Sequence, residues 1–176
     1  AAAQKIQHSF SEFTCGTLTL SAGILVHEAK YPIRRAAAQS QELEAFSKQN
    51  PGKNSVTVFD LDESLRYTWA DFSVKVMGEK YKLISTFFNT QKKIDGGRGK
   101  AFLYRLLDLL RHSSEQINLA RFAYLLARME PTKDKTAKQL YQVFSKNMYQ
   151  WYLQPEDRKQ LVTAIYIYVY LTRTER

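Results

Sequence analysis

One stretch of the chain gathers residues suited to holding a phosphate. It runs Leu18-Thr-Leu-Ser-Ala-Gly-Ile-Leu-Val-His-Glu-Ala-Lys-Tyr-Pro-Ile33, and Gly52-Lys53-Asn54-Ser-Val-Thr-Val58 follows it. Ser21 and Gly23 offer a hydroxyl and an unshielded backbone on a strand. Lys30 stands where a helix begins. A helix start combines unpaired amides with the positive end of the macrodipole, so a lysine there makes a ready anion site. A capped, basic helix start beside an ordinary edge strand explains the same residues without a ligand.

A second constellation lies further on. Arg121 and Arg128 are seven apart with Tyr124 between them, which places the three near one helix face. Arg105 and Arg111 add charge on the preceding helix. A basic face carrying an aromatic can track an RNA backbone. A solvated or salt-bridged face is the alternative. Leu65, Trp69 and Phe72, and the pair Trp151 and Tyr152, read as core. Arg34 and Arg35 read as a solvated helix face, and His27 as a partly buried, hydrogen-bonded side chain. His8, His27 and His112 are too scattered for a metal motif. The single cysteine, Cys15, excludes an internal disulfide and fits a reducing, cytoplasmic setting.

The elements that must position these residues follow from period and punctuation. Residues 2–13 predict an amphipathic helix with Ile6, Phe10 and Phe13 on one face, stopped by Gly16. Leu18 to Val26 alternates and predicts a strand, in which Gly23 implies a bulge or a close approach by a ligand. Pro32 opens a second helix with Ile33, Ala36, Ala37, Ser40, Leu43 and Phe46 on one side. Ser55 to Phe59 is a second strand. From about Asp60 onward helical patterns take over, interrupted by a polar, glycine-rich loop at Asn89–Gly99. Helices are predicted at Phe102–Leu110, Ile117–Met129 and Leu140–Tyr152, and from Pro155 on. Ile165-Tyr-Ile-Tyr-Val-Tyr170 alternates like a strand, yet the helix start at Pro155-Glu-Asp157 and the lack of a partner favour helix. The fold class is therefore α+β, with a small α/β unit at 1–60 and an all-α bundle at 61–176.

Aromatic residues make up 13% of the 176 residues and the net charge is +9. The first supplies a packed core; the second fits a polyanionic partner such as nucleic acid or nucleotide phosphates, and fits an ordinary basic protein equally well. The longest apolar run, Leu161 to Leu171, is too short and too rich in tyrosine to span a bilayer, so no membrane partner is expected. The chain enters a helical pattern at Ala1-Ala2-Ala3, which reads as a fragment of something longer.

The Leu-Ser-Ala-Gly-Ile, His-Glu-Ala-Lys-Tyr-Pro-Ile and Gly-Lys-Asn runs resemble the palm signature of the large, signature subunit of type III-A CRISPR effector complexes. Asn118 to Arg128 and the closing Ile-Tyr-Ile-Tyr-Val-Tyr-Leu-Thr-Arg173 resemble the same family's C-terminal helical domain. The likeness covers nearly the whole chain and extends distantly to diguanylate cyclases. It implies a partial ferredoxin-like, nucleotide-cyclase-like palm followed by a helical bundle.

It also implies ATP binding for target-RNA-activated synthesis of cyclic oligoadenylate, with Ser21, Ala22, Gly23, Lys30, Lys53 and Asn54 as the carried-over ATP residues. Lys53 and Asn54 serve equally as turn residues. Arg105, Arg121, Tyr124 and Arg128 are the candidates for contact with RNA or a partner. Implied partners are the other effector subunits, guide RNA and target RNA. The family's Gly-Gly-Asp-Asp metal motif is not in this sequence. Catalytic and metal-ligating residues are therefore expected to be none here, with Mg or Mn held by residues before Ala1, and this chain alone is expected to be inactive. The alternative is a non-catalytic helical module that docks RNA or protein.

Overall fold

The computed structural model describes residues 2–95, 99–112, 116–131 and 135–173. Two compact units emerge, Ala1–Lys75 and Val76–Arg176. The first holds helix α1 (Ala2–Phe13), strand β1 (Ala22–Ile24), helix α2 (Ile33–Lys48), strand β2 (Ser55–Val58), a 3-10 turn (Glu63–Leu65), strand β3 (Arg66–Thr68) and the short helix α3 (Trp69–Asp71). A π-helical run comes next at Phe72–Tyr81. The second unit continues with α4 (Lys82–Asp95), α5 (Gly99–Arg111), α6 (Gln116–Ala127), α7 (Lys135–Leu153) and α8 (Pro155–Arg173). The palm-like α/β unit followed by a helical bundle is thus observed.

The sheet has the order β1-β2-β3. β1 and β2 are parallel, joined by α2 as a βαβ crossover, and β3 runs antiparallel to β2. All four residues of β2 are buried. The alternation over Leu18 to Val26 predicts a longer first strand than the three residues seen. The ladder cannot extend backward: Ala22 pairs with Val56, so Asn54 would soon have to pair, and its φ of 44° is left-handed. It cannot extend forward either, because Phe59, at φ 71°, turns the chain away after Ile24 pairs with Val58.

Gly16 stops α1 as its type predicts, with φ 72° and its amide donating to the Ser11 carbonyl at 2.9 Å. α2 starts one residue after Pro32, whose extended φ of −60° and ψ of 120° set the entry. The face of α2 that packs inward carries Ala36, Leu43 and Ser47. Ile33 and Ala37, expected on that face, are exposed.

The sheet does not end near Asp60. Arg66–Thr68 adds a strand, and Trp69 ties the end of that strand back to the sheet through Nε1 to the Leu20 carbonyl (2.7 Å) and its amide to the Asn54 carbonyl (3.3 Å). The division between compact units accordingly falls at Lys75/Val76. The expected loop at Asn89–Gly99 is also shorter, since α4 runs through Asp95. Asn89 to Asp95 contains no helix breaker, and the glycines Gly96 and Gly97 lie outside the described residues.

In the helical unit Phe87 stacks on Phe144 with centroids 3.9 Å apart, and Phe88 meets Phe144 edge-on at 6.0 Å. The alternating Ile165–Tyr170 segment is helical. Leu161, Ala164, Ile165, Tyr168 and Val169 are buried, a spacing of three and four that only a helix reconciles with one core.

Candidate functional site

Gly23 is fixed by packing. A Cβ placed there would meet the Leu43 Cβ and the Ser40 carbonyl at 2.5 Å and the Glu44 amide at 2.6 Å. The close approach that the glycine signals is made by the backbone of α2. Helix and strand touch here because two serines and a threonine complete the joint. Ser47 Oγ donates to the Ala22 carbonyl (2.8 Å) and lies 2.7 Å from Thr57 Oγ1, while Ser55 Oγ donates to the Ser47 carbonyl (2.6 Å). All three side chains are fully buried. Their satisfied hydroxyls offset the cost of burying polar groups. Sequence reading missed this trio; the only trace was Ser47 standing four residues after Leu43 on the buried face.

Toward the C-terminal end of β1 an open pocket of about 360 Å³ lies against the first turns of α2. Its walls include Gly23, Ile24, Leu25, His27, Ala36 and Ser40. In α/β sheets the crevice at the C-terminal ends of parallel strands is the usual place for a ligand. The segment beyond β1 is tied down locally. His27 Nδ1 donates to the Glu28 carbonyl (2.9 Å), the Tyr31 amide donates to the same carbonyl (3.0 Å), and Tyr31 Oη donates to Gln39 Oε1 (2.9 Å). His27 is hydrogen-bonded as expected, but it is exposed rather than partly buried.

Lys30 follows in this segment and is exposed, as are Arg34 and Arg35 in the first turn of α2. That turn contains no acidic residue. Arg34 and Arg35 thus stand at the positive end of α2 with no carboxylate in that turn, a position that favours an anion; Lys30 precedes the helix in a segment that also carries Glu28.

The six carried-over residues do not converge on one spot. Gly23 lines the pocket, and Lys30 follows the C-terminal end of β1. Lys53 and Asn54 precede β2, so in a parallel pair they lie at the opposite edge of the sheet. Ser21 belongs to that second edge too, one residue ahead of the ladder, and its hydroxyl is buried without a partner among the described residues. Ala22 stands in the ladder between the two edges. Gly52, Lys53 and Asn54 form a left-handed turn with φ of 76°, 57° and 44°, held by the Lys53 amide on the Asn50 carbonyl at 2.8 Å. Their backbone shapes the entry to β2 and receives the Trp69 amide.

In the helical unit Arg121, Tyr124 and Arg128 are exposed on one side of α6 and the turn after it. The Arg128 guanidinium lies over the Tyr124 ring at 6.0 Å, and Arg121 donates to Asn118 Oδ1 at 3.2 Å. Arg105 is exposed on α5 with no described contact to the trio. Arg111 is spent on Tyr166, to which it donates and over whose ring it lies.

A buried charge went unread in the sequence. Lys80, in the π-helical run, is fully buried; its Nζ lies 2.9 Å from Asp157 Oδ1 and 4.8 Å from the Trp151 ring centre. Trp151, expected in the core, is half-buried. Nothing in the local pattern distinguishes Lys80 from the exposed lysines around it. Among the described residues no group of three His, Cys, Asp or Glu side chains could hold a metal ion, and no helix is long and apolar enough to cross a membrane.

Two family matches divide the chain along the same lines. Residues 1–57 match the second palm domain of Cas10/Cmr2, and residues 85–174 match the second helical domain of the Cmr2 subunit of the CRISPR RNA silencing complex. The chain belongs to the Cas10/Cmr2 family. It is similar to proteins named CRISPR system single-strand-specific deoxyribonuclease Cas10/Csm1 (subtype III-A). The Mycobacterium tuberculosis protein is 40% identical over 97% of this chain, the Streptococcus thermophilus protein 38% over 97%, and the Enterococcus italicus protein 33% over 96%. The chain spans about a fifth of the length of these relatives, 20%, 22% and 20%. The Cas10/Cmr2 palm match ends within β2, and the helical match begins inside α4. Between them lie β3, the Trp69 anchor and Lys80.

Proposed function

We propose that this chain is part of the large subunit of a type III-A CRISPR effector. Its palm-like unit contributes part of an ATP site for target-RNA-activated synthesis of cyclic oligoadenylate in antiviral defence. Bound ATP supplies the phosphoanhydride bond that is broken in such a transfer. Lys30 holds the triphosphate at the start of α2, with Arg34 and Arg35 raising the local positive potential. Ile24, Leu25 and Ala36 give the pocket an apolar wall against a base or ribose, and Gly23 lets α2 close on the strand. Ser21 and Ala22 shape the strand that carries this wall. Lys53 and Asn54 act in the turn before β2. Mg or Mn would be held by residues outside this chain.

The observation that carries the proposal is the open pocket beside a helix whose first turn carries Arg34 and Arg35 and no carboxylate. The helical unit serves assembly, with Arg105, Arg121, Tyr124 and Arg128 facing RNA or another effector subunit in the cytoplasm.

The test is Lys30→Gln in the full-length protein within its assembled complex. Cyclic oligoadenylate formed on adding target RNA is expected to fall at least about tenfold, as loss of a charged contact to phosphate implies, while assembly is unchanged. Undiminished product in the variant would leave the chain a docking module.

A further inference from the structure

The positive charge is unevenly placed. Ala1–Lys75 holds eight Lys and Arg against eight Asp and Glu; Val76–Arg176 holds eighteen against nine. The whole excess of +9 belongs to the helical unit. Helix α7 is the extreme case. Its 19 residues, KTAKQLYQVFSKNMYQWYL, contain no carboxylate.

Ala137, Tyr141, Phe144, Met148 and Tyr152 fill the buried side. Lys135, Lys138, Gln142, Lys146 and Tyr149 fall within one stripe at 100° per residue, and all are at least partly exposed. Ordinary solvated helix surfaces mix signs at three- and four-residue spacing. Elsewhere this chain does so: Glu44 pairs with Lys48, Asp71 with Lys75, and Glu156 with Lys159. On α7 only Lys138 has an acidic partner among the described residues, and that partner is Glu130, outside the helix.

We propose that this α7 stripe is a docking ridge for single-stranded nucleic acid, read through its phosphodiester backbone. From Lys135 to Tyr149 the ridge extends about 21 Å, enough for a few nucleotides. Its lysines neutralise phosphates, Gln142 donates hydrogen bonds to backbone oxygens, and Tyr149 offers a ring on which a base stacks. Protein interfaces are depleted in lysine and centre on an apolar core; this stripe carries three lysines along its length, and its apolar member, the exposed Leu153, stands at its C-terminal end. Backbone readout carries no preference for sequence or sugar, so RNA and DNA strands bind alike. The ridge shares no residue with the proposed ATP pocket, and the two readings stand or fall separately.

The test uses the full-length protein with labelled oligouridine and oligothymidine, followed by fluorescence anisotropy over a range of salt. Lys135→Gln, Lys138→Gln and Lys146→Gln are combined; glutamine keeps the helix propensity of lysine. Affinity for both strands is expected to fall about tenfold, and the slope of log affinity against log salt to shrink by about 2, the share of three phosphate contacts on a single strand. Arginine at the same three positions retains binding. A charge-matched control, Lys5→Gln with Lys48→Gln and Lys75→Gln, leaves affinity and slope as they were. Unchanged affinity and slope in the ridge variant, or an equal drop in the control, would each overturn the proposal.

Discussion

At the scale of single residues the chain spends its chemistry on positioning. Gly23 is demanded by the backbone of α2, so Gly23→Ala is expected to lower stability by about 2–3 kcal/mol, in the range of overpacked cores, read as a drop in the denaturant midpoint. The glycine itself was legible in the sequence; its neighbour was not, because a strand pattern does not say which element packs against it. Thr68 is a second such position. Its hydroxyl accepts from the Asp71 amide at 3.1 Å and donates to Asp71 Oδ2 at 2.8 Å.

The Thr68 hydrogen bond, opposed by partial burial and aided by Lys75, holds the Asp71 carboxyl below the usual aspartate value. The stabilisation is present above the unfolded-state pKa and is lost as pH falls through the lower folded value. Thr68→Ala is expected to cost about 1 kcal/mol at neutral pH and to flatten the acid limb of the stability curve. A variant with an unchanged acid limb would contradict this account.

At the scale of elements, the buried Lys80 joins the π-helical run to the first turn of α8 through Asp157. Lys80 is fully buried, whereas Asp157 is partly exposed and Glu79 Oε2 also lies 3.5 Å from the ammonium, so removing Asp157 weakens the pairing of the charge without abolishing it. Asp157→Ala is therefore expected to cost about 2 kcal/mol, the range of a hydrogen bond to a charged group, and Lys80→Met combined with Asp157→Ala to recover most of it. A double-mutant cycle by thermal unfolding measures the coupling; additive losses would show that the pair is unimportant. Neither the π-helical run nor this pair was legible, since a lysine at helical spacing looks the same whether it faces solvent or a tryptophan. The helices were legible from their punctuation: Pro32, Pro155-Glu156-Asp157 and Gly16 mark boundaries within a few residues of those observed. β3 was not, because three residues with one buried side chain, Tyr67, carry no period. The strand bias of Ile165–Tyr170 yields to burial, which a helix satisfies with Leu161, Ala164, Ile165, Tyr168 and Val169 together.

At the scale of the whole molecule, two units divide the work: a charge-balanced βαβ unit with a basic helix start beside a pocket, and a helical unit carrying all of the excess positive charge. The sequence motifs that mark the family were readable from end to end. Their convergence into one site was not, because residues flanking opposite ends of parallel strands look adjacent along the motifs and are not adjacent in space. Lys30 and Lys53 show the difference most sharply.

The most direct measurement is therefore ATP binding by the full-length protein carrying Lys30→Gln or Lys53→Gln, each compared with the unaltered protein by calorimetry. The account predicts about tenfold weaker binding for Lys30→Gln and unchanged binding for Lys53→Gln. Unchanged binding for Lys30→Gln, or an equal loss for Lys53→Gln, would contradict a triphosphate contact at the start of α2.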